Sequence, residues 1–281
     1  MNYYLFLMQL FLTLLAIFLI WQAILYYRRM KLFKELKRRP LPDEWIQTLQ
    51  KLPHYRLLPS QMRERLRPRM LYFSLSKEFL CVKCEVTEQM RAVISFYAAL
   101  MTIGFEEEEP FAELDTVLIY PHEVVVPGVH EHGGIFSDEE AILDGESMAG
   151  TVLIAWSEAK HEAFHGGKNN VIVHELAHLL DIEDGEADGA PPMGPSLRKK
   201  WNRVLQHHFE ELQERVRENR EWGEYRLLGE YAATNEAEFF AVCSERFFQH
   251  PHALKTHFPD LYRELEQVYG IDTEQLFSAL G

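Results

Sequence analysis

From Tyr3 to Tyr27 the chain carries no charged side chain, and Gln9, Thr13 and Gln22 are the only strongly polar interruptions of an apolar run. A helix of that length rises about 37 Å, enough to cross a hydrocarbon core of about 30 Å with some tilt. Tyr3, Tyr4, Trp21, Tyr26 and Tyr27 stand towards the two ends, as interfacial aromatic belts do. A cleaved signal peptide would need basic residues before a shorter apolar core and a small-residue cleavage site after it. Here the basic residues follow the run, and Tyr26-Tyr27-Arg28-Arg29 offers no such site. The pattern predicts a transmembrane helix over 1–27, meeting the bilayer through residues 3–27. A basic juxtamembrane helix or linker over 28–40 follows, ending at Pro40, and then a domain over 41–281. The positive-inside rule predicts a single pass through the inner (cytoplasmic) membrane, with the N-terminus outside and the domain in the cytoplasm.

The periodicity of the domain is mostly helical. Residues 43–103 read as helices broken at Pro53, Pro59 and Pro68, the strongest lying at about 86–103, begun by Thr87 and stopped by Gly104. The acid run 106–109 before Pro110 reads as a solvated loop. Alternating or β-branched runs predict strands at 116–120, 123–126 and 151–156, with a glycine-rich acidic loop over 127–150. From 157 onward the pattern is helical, broken at Gly166-Gly167, at 184–195 and at 223–229. No repeat and no clear linker divides 41–281. The expected class is α+β: a mostly helical domain with a small sheet, preceded by one transmembrane helix.

Charge sharpens this division. The 281-residue chain has 29 basic and 43 acidic residues, a net charge of −14. Seven of the basic residues and one acid, Glu35, lie in 1–39, so the remainder carries −20. So acidic a domain argues against nucleic-acid binding by phosphate neutralisation. With 47% hydrophobic and 26% charged residues, the chain is globular rather than disordered. Three cysteines imply no disulfide framework. Cys81 and Cys84 form a CxxC, but the second pair a zinc ribbon requires is missing. They read as two ordinary small apolar residues, and Cys243, in an apolar helical run, as core.

The candidate chemistry lies at His174-Glu175-Leu176-Ala177-His178, an H-E-x-x-H on an apolar helix capped by Asn169 or Asn170. On a helix His174 and His178 share a face, so two imidazoles can converge on one metal, with Glu175 close enough to act on a metal-bound water. The pentapeptide alone is not specific. His161-Glu162-Ala163-Phe164-His165 matches too, but it has polar residues before it and Gly166-Gly167 straight after, and reads as an exposed helix end. A catalytic metal needs a third protein ligand. A metzincin would place Gly at 181 and His at 184, whereas this chain has Asp181 and Asp184. Asp184 remains a candidate carboxylate, and so does a Glu on a helix over 229–242, with Asn235 as its cap. Glu238 is the foremost of these, with Glu236 and Glu245 as alternatives. Asn235-x-x-Glu238 equally fits a capping box, in which Glu238 would bond back to the cap amide. Asp181, seven residues after His174 on the same face, could orient an imidazole. Tyr231 near the helix start reads by itself as a packed ring. His130 and His132 read as exposed loop residues.

The strings NNVIVHELAHLLDIEDGEADGAPPM (169–193), EYAATNEAEFFAVCSERFF (230–248), TVLIYPHEVVVP (116–127) and GESMAGTVLIAW (145–156) resemble the zinc peptidase family of Mlc titration factor A. The match runs over most of 44–273 and is specific in order and spacing. The resemblance implies a gluzincin-type metallopeptidase domain over 41–281, with Zn2+ as cofactor. It implies His174, His178 and Glu238 as the metal ligands, Glu175 as the catalytic glutamate and Tyr231 as the active-site tyrosine. It also implies peptide-bond hydrolysis by a metal-activated water, an aminopeptidase-like preference, and a peptide or protein substrate, expected to lie along the strand at 151–156. The competing role it implies is a regulatory one, capture of the transcriptional repressor Mlc. The segment 1–40 has no counterpart in the resemblance.

Overall fold

The computed structural model describes residues 2–105, 111–122, 150–185 and 187–280. The acid run 106–109, the strand expected over 123–126 and the loop histidines His130 and His132 lie outside the described residues, as does the side chain of Asp184. The class is α+β, as expected. One long apolar helix, α1 (Asn2–Leu36), precedes a helical domain built on a small parallel sheet. α1 does not stop at the basic stretch but continues through it to Leu36, which is 2% exposed.

Four elements follow: α2 (Asp43–Leu49), α3 (Pro53–Leu57), α4 (Ser60–Ser76) and β1 (Glu78–Cys81). Pro53 and Pro59 stand at helix starts, where a missing N–H costs nothing. Pro68 does not break the chain as expected: α4 runs through it. An interior proline costs a helix about 3 kcal/mol, but the flanking Leu66, Met70, Leu71 and Phe73 are all buried, and that burial offsets the loss. β1 was not expected, because four residues are too few to show a period. At its end Cys81 and Cys84 are joined as a disulfide, so they are not two unpaired small residues; Cys243 is buried and free.

α5 (Glu88–Met101) begins where its sequence says it should, with Thr87 Oγ1 accepting from the Met90 amide at 3.2 Å. It runs through the centre of the domain. The sheet order is β1-β2-β3, all parallel, with β2 at Thr116–Tyr120 and β3 at Thr151–Ala155. Phe79 pairs with Val117 and Val117 with Val152, and these three side chains face the core. Trp156, expected to end the strand, instead begins α6 (Trp156–His165). α7 (Val171–Asp181), α8 (Pro195–Arg217), α9 (Glu236–Gln249), α10 (Pro251–His257), α11 (Pro259–Tyr269) and α12 (Thr273–Phe277) complete the domain. α7 packs on α9 and on β3, with α5 behind it.

His54, on α3, is a buried structural histidine that joins distant elements. One ring nitrogen lies 3.1 Å from the Phe248 carbonyl and the other 3.2 Å from the Tyr97 hydroxyl. Burial pushes its pKa down to about 4, although the carbonyl works the other way. The unfolded chain takes up that proton at about 6.5, so the folded state loses stability as pH falls from 6.5 towards 4. The expected loss is about 3 kcal/mol. Denaturant titrations at pH 7 and pH 4 should show wild type losing about that much more than His54→Gln; parallel losses would contradict it.

Candidate metal centre

The site is built on two helix starts. At α7, three amides are taken by side chains. Glu245 Oε2 accepts from Asn170 N at 2.7 Å, Glu162 Oε2 from Val171 N at 2.7 Å, and Asn170 Oδ1 from Val173 N at 3.2 Å. At α9, Asn235 Oδ1 accepts from Glu238 N at 2.8 Å. The core face of α7, Ile172, Val173, Leu176, Ala177 and Leu180, is fully buried. With both helices fixed at their first turns and along their packed faces, the side chains between them have little freedom.

His174, His178 and Glu238 meet in that space. His174 Nε2 is 3.1 Å from His178 Nε2 and 3.1 Å from Glu238 Oε2, and His178 Nε2 is 3.4 Å from the same oxygen. Ligand atoms about 2.0–2.1 Å from a tetrahedral metal lie about 3.3–3.4 Å apart, so the triangle has the size such a metal needs. The donor chemistry fits as well. Glu245 Oε1 sits 2.9 Å from His174 Nδ1. A proton on that nitrogen leaves Nε2 as a lone pair facing a second imidazole nitrogen and a carboxylate oxygen. Three such donors repel one another unless a cation lies between them. A proton can serve: burial opposes it, but Glu238 and Glu245 outweigh burial and raise the His174 pKa to about 10. Burial likewise favours the neutral form of Glu238, and the two histidines outweigh it and lower its pKa. A divalent metal satisfies all three donors at once. Among the described residues this is the only cluster of three histidine or acidic side chains close enough to hold one ion.

The Glu238 side chain reaches the histidines, so Asn235 makes its half of a cap and Glu238 does not return the bond. Burial raises the pKa of Glu175, which neighbours both histidines, while those histidines pull it down. Tyr231 lies on a short 3-10 turn, Glu230–Ala233, and α9 starts only after it; the expected single helix over 229–242 is interrupted at Asn235. Its ring centroid is 6.1 Å from that of His174. Burial, and then the Glu238 carboxylate, raises the Tyr231 pKa, so the hydroxyl keeps its proton.

Two expectations need correction. Asp181 does not orient an imidazole. Its Oδ1 accepts from the Ala190 amide at 2.7 Å and so fastens the segment after α7, while burial pushes its pKa up to about 6. Gly189, next to that bond, has φ +75°, and a Cβ there would come 2.6 Å from the Glu236 carbonyl oxygen. The carboxylate on His174 Nδ1 is Glu245, which sequence reading weighed only as a ligand. The first H-E-x-x-H is half of what was expected. His161 and His165 stack on each other, exposed, at the end of α6, but Glu162 turns inward to cap α7. Glu236 is exposed and takes no part.

Arg246 was missed altogether. Its guanidinium donates to the carbonyls of Leu227 (2.9 Å) and Lys168 and to Asn169 Oδ1 (3.2 Å), and it lies 3.7 Å from Glu245. It ties α9 to the approach of α7 and to the segment that leads to Tyr231. The signal was available: Glu245-Arg246 is a charged pair inside Phe-Phe-Ala-Val-Cys-Ser…Phe-Phe, where unpaired charges would be prohibitive. Glu245 is seven residues after Glu238, on the same face. Glu245→Ala should weaken metal binding by about 10–100-fold, measured by competition with a chromophoric chelator; unchanged affinity would remove Glu245 from the site.

Residues 26–270 match the family model described as glucose-regulated metallo-peptidase M90. An uncharacterised protein of Synechocystis is 31% identical over 247 residues, covering 85% of this chain and 88% of that protein. Mlc titration factor A of Escherichia fergusonii is 32% identical over 191 residues, covering 64% of this chain and 67% of that protein. The protein of the same name from Yersinia pestis is 29% identical over 187 residues, 66% of this chain and 67% of that protein. The family match begins at residue 26, so the basic end of α1 has a counterpart after all.

Proposed function

The chain belongs to the glucose-regulated metallo-peptidase M90 family, and on that premise we propose that it is a zinc-dependent peptidase tethered to the inner membrane with its catalytic domain in the cytoplasm. The observation that carries the reading is the triangle of donor atoms from His174, His178 and Glu238, with Glu245 behind His174. These three residues would hold the ion. When bound, zinc supplies a Lewis acid and lowers the pKa of a water towards about 7.

Glu175, on the same helix one step round from His174, takes a proton from the attacking water and hands it to the leaving amine. Burial raises its pKa, which makes the carboxylate a stronger base than an exposed glutamate. The Tyr231 hydroxyl, still protonated, donates to the scissile carbonyl oxygen as that atom becomes negative. Glu245 and Arg246 hold the imidazole and the two helix starts in place. The substrate is a peptide or protein laid along β3, which is at the sheet edge among the described residues. The family resemblance favours aminopeptidase action.

The chain divides into a span over 1–27, a basic linker over 28–40 and a peptidase domain over 41–281. The basic residues after the apolar run support the cytoplasmic side for the domain. A second reading follows from the relatives named Mlc titration factor A: capture of a transcriptional repressor, with hydrolysis secondary. Full-length protein in detergent separates the two. Chelation should abolish cleavage of a peptide panel, and one equivalent of zinc per chain should restore it. Zinc binding without cleavage of any peptide would favour the repressor reading.

A further inference from the structure

The end of α1 and the helix α4 run antiparallel, and their contacts fix a register. Arg67 donates to the Lys37 carbonyl at 2.8 Å, and the Phe33 ring meets the Tyr72 ring at 6.2 Å. As α1 is followed back towards the apolar run, α4 is followed forward. One further turn brings Leu75 and Ser76 level with Arg29 and Met30, and both of those α1 residues are partly covered. Met30 lies three residues past Tyr27, about 4.5 Å along the helix. The headgroup layer of one leaflet is about 5–8 Å thick. If α1 spans a bilayer, the end of α4 is therefore inside that layer.

The side chains at this level suit it. Leu75 is 56% exposed. β1 lies beside the same end of α4, with the Phe73 and Phe79 rings 6.2 Å apart. Phe79 faces inward, so Leu80 faces outward and is 44% exposed. Among the described residues outside α1, only Leu57 and Ile182 are other large apolar side chains so exposed, and they end α3 and follow α7. Arg28, Arg29, Lys31 and Lys34 on α1 bring positive charge to this level, against Glu35 on the same helix and Glu78, exposed beside Leu80 on the outer face of β1. Apolar tips beside a cluster of cations that outnumbers the nearby acids fit the surface of an anionic bilayer.

We propose that the last turn of α4 and the outer face of β1 rest on anionic phospholipid headgroups, with Leu75 and Leu80 entering the layer, so that the domain is held against the membrane in one orientation. The inference rests on the membrane-span reading of α1, and its test separates the two. Full-length protein carrying Cys81→Ser and Cys84→Ser, with Cys243 buried, is given one labelling cysteine at Leu75, Leu80, Leu57, Ile182 or Phe18. Each variant is labelled with an environment-sensitive fluorophore in nanodiscs of phosphatidylcholine and phosphatidylglycerol. Lipids spin-labelled at the headgroup should quench labels at 75 and 80 at least about twofold more than labels at 57 and 182. Lipids spin-labelled deep in the chain should quench the label at 18. Quenching at 18 with 75 and 80 no different from 57 would overturn this inference and leave the span standing. No quenching at 18 would overturn the span and the inference with it. Quenching at 75 and 80 by a labelled second copy, with no effect of spin-labelled lipid, would assign the face to self-association and overturn the lipid proposal.

Discussion

Glu175→Gln should leave bound zinc at its wild-type amount and lower kcat/KM for peptide hydrolysis by about 10²–10⁴-fold. The reasoning is local. Glu175 is on α7 between the two histidines but contributes no atom to the cluster of three donors. Glutamine has the same shape and keeps the helix, yet it cannot accept a proton from water or return it to an amine. Removing it therefore withdraws proton transfer without touching the metal cage. Its raised pKa has the same origin as its role: burial disfavours the charged carboxylate, and the nearby histidines recover part of that charge. Metal content by emission spectroscopy and initial rates on one peptide would check both halves. A Gln variant retaining wild-type rates would remove Glu175 from the chemistry; one losing its zinc would make it structural.

Glu238→Ala should weaken zinc binding by about 100-fold and abolish hydrolysis at limiting metal. Full structural zinc sites bind with about 10–16 kcal/mol, or about 3 kcal/mol per ligand, and that converts to about two decades in affinity. Glu238 is placed for this by its cap: Asn235 takes the Glu238 amide, which fixes the first turn of α9, the turn whose third residue carries the carboxylate towards α7. Chelator competition would read the affinity directly. A variant with full affinity would send the third ligand back to Asp184.

What could be read beforehand follows from how local each determinant is. The long apolar helix declares itself because every residue of an uninterrupted run carries the signal, and Thr87 and Asn170 because a cap is one side chain and one amide. The histidine pair is legible for the same reason, being one helical turn. Elements settled by distant partners were harder. β1 has four residues and gains its identity from pairing with β2. Pro68 breaks helices in isolation but not where its neighbours are buried on both sides. The choice between Glu238 as ligand and Glu238 as cap needed α7 in space, because both readings use the same sequence spacing. The imidazole-orienting role expected of Asp181 falls to Glu245 for a like reason. Asp181 lies seven residues after His174 and Glu245 seven after Glu238, and only the packing of α7 against α9 decides which carboxylate meets His174. Arg246 has no motif at all. Its pattern is the cost of a charge in an apolar helix, which shows that a partner exists without saying which.

At the heart of the proposed function, His174, His178 and Glu238 bind zinc and leave room for water. Zinc K-edge absorption on full-length protein loaded with one equivalent tests it most directly. The expected first shell is nitrogen and oxygen at about 2.0–2.1 Å with the outer scattering of two imidazoles. A shell containing sulfur at about 2.3 Å, which would point to Cys81 and Cys84, or a single imidazole, would contradict it.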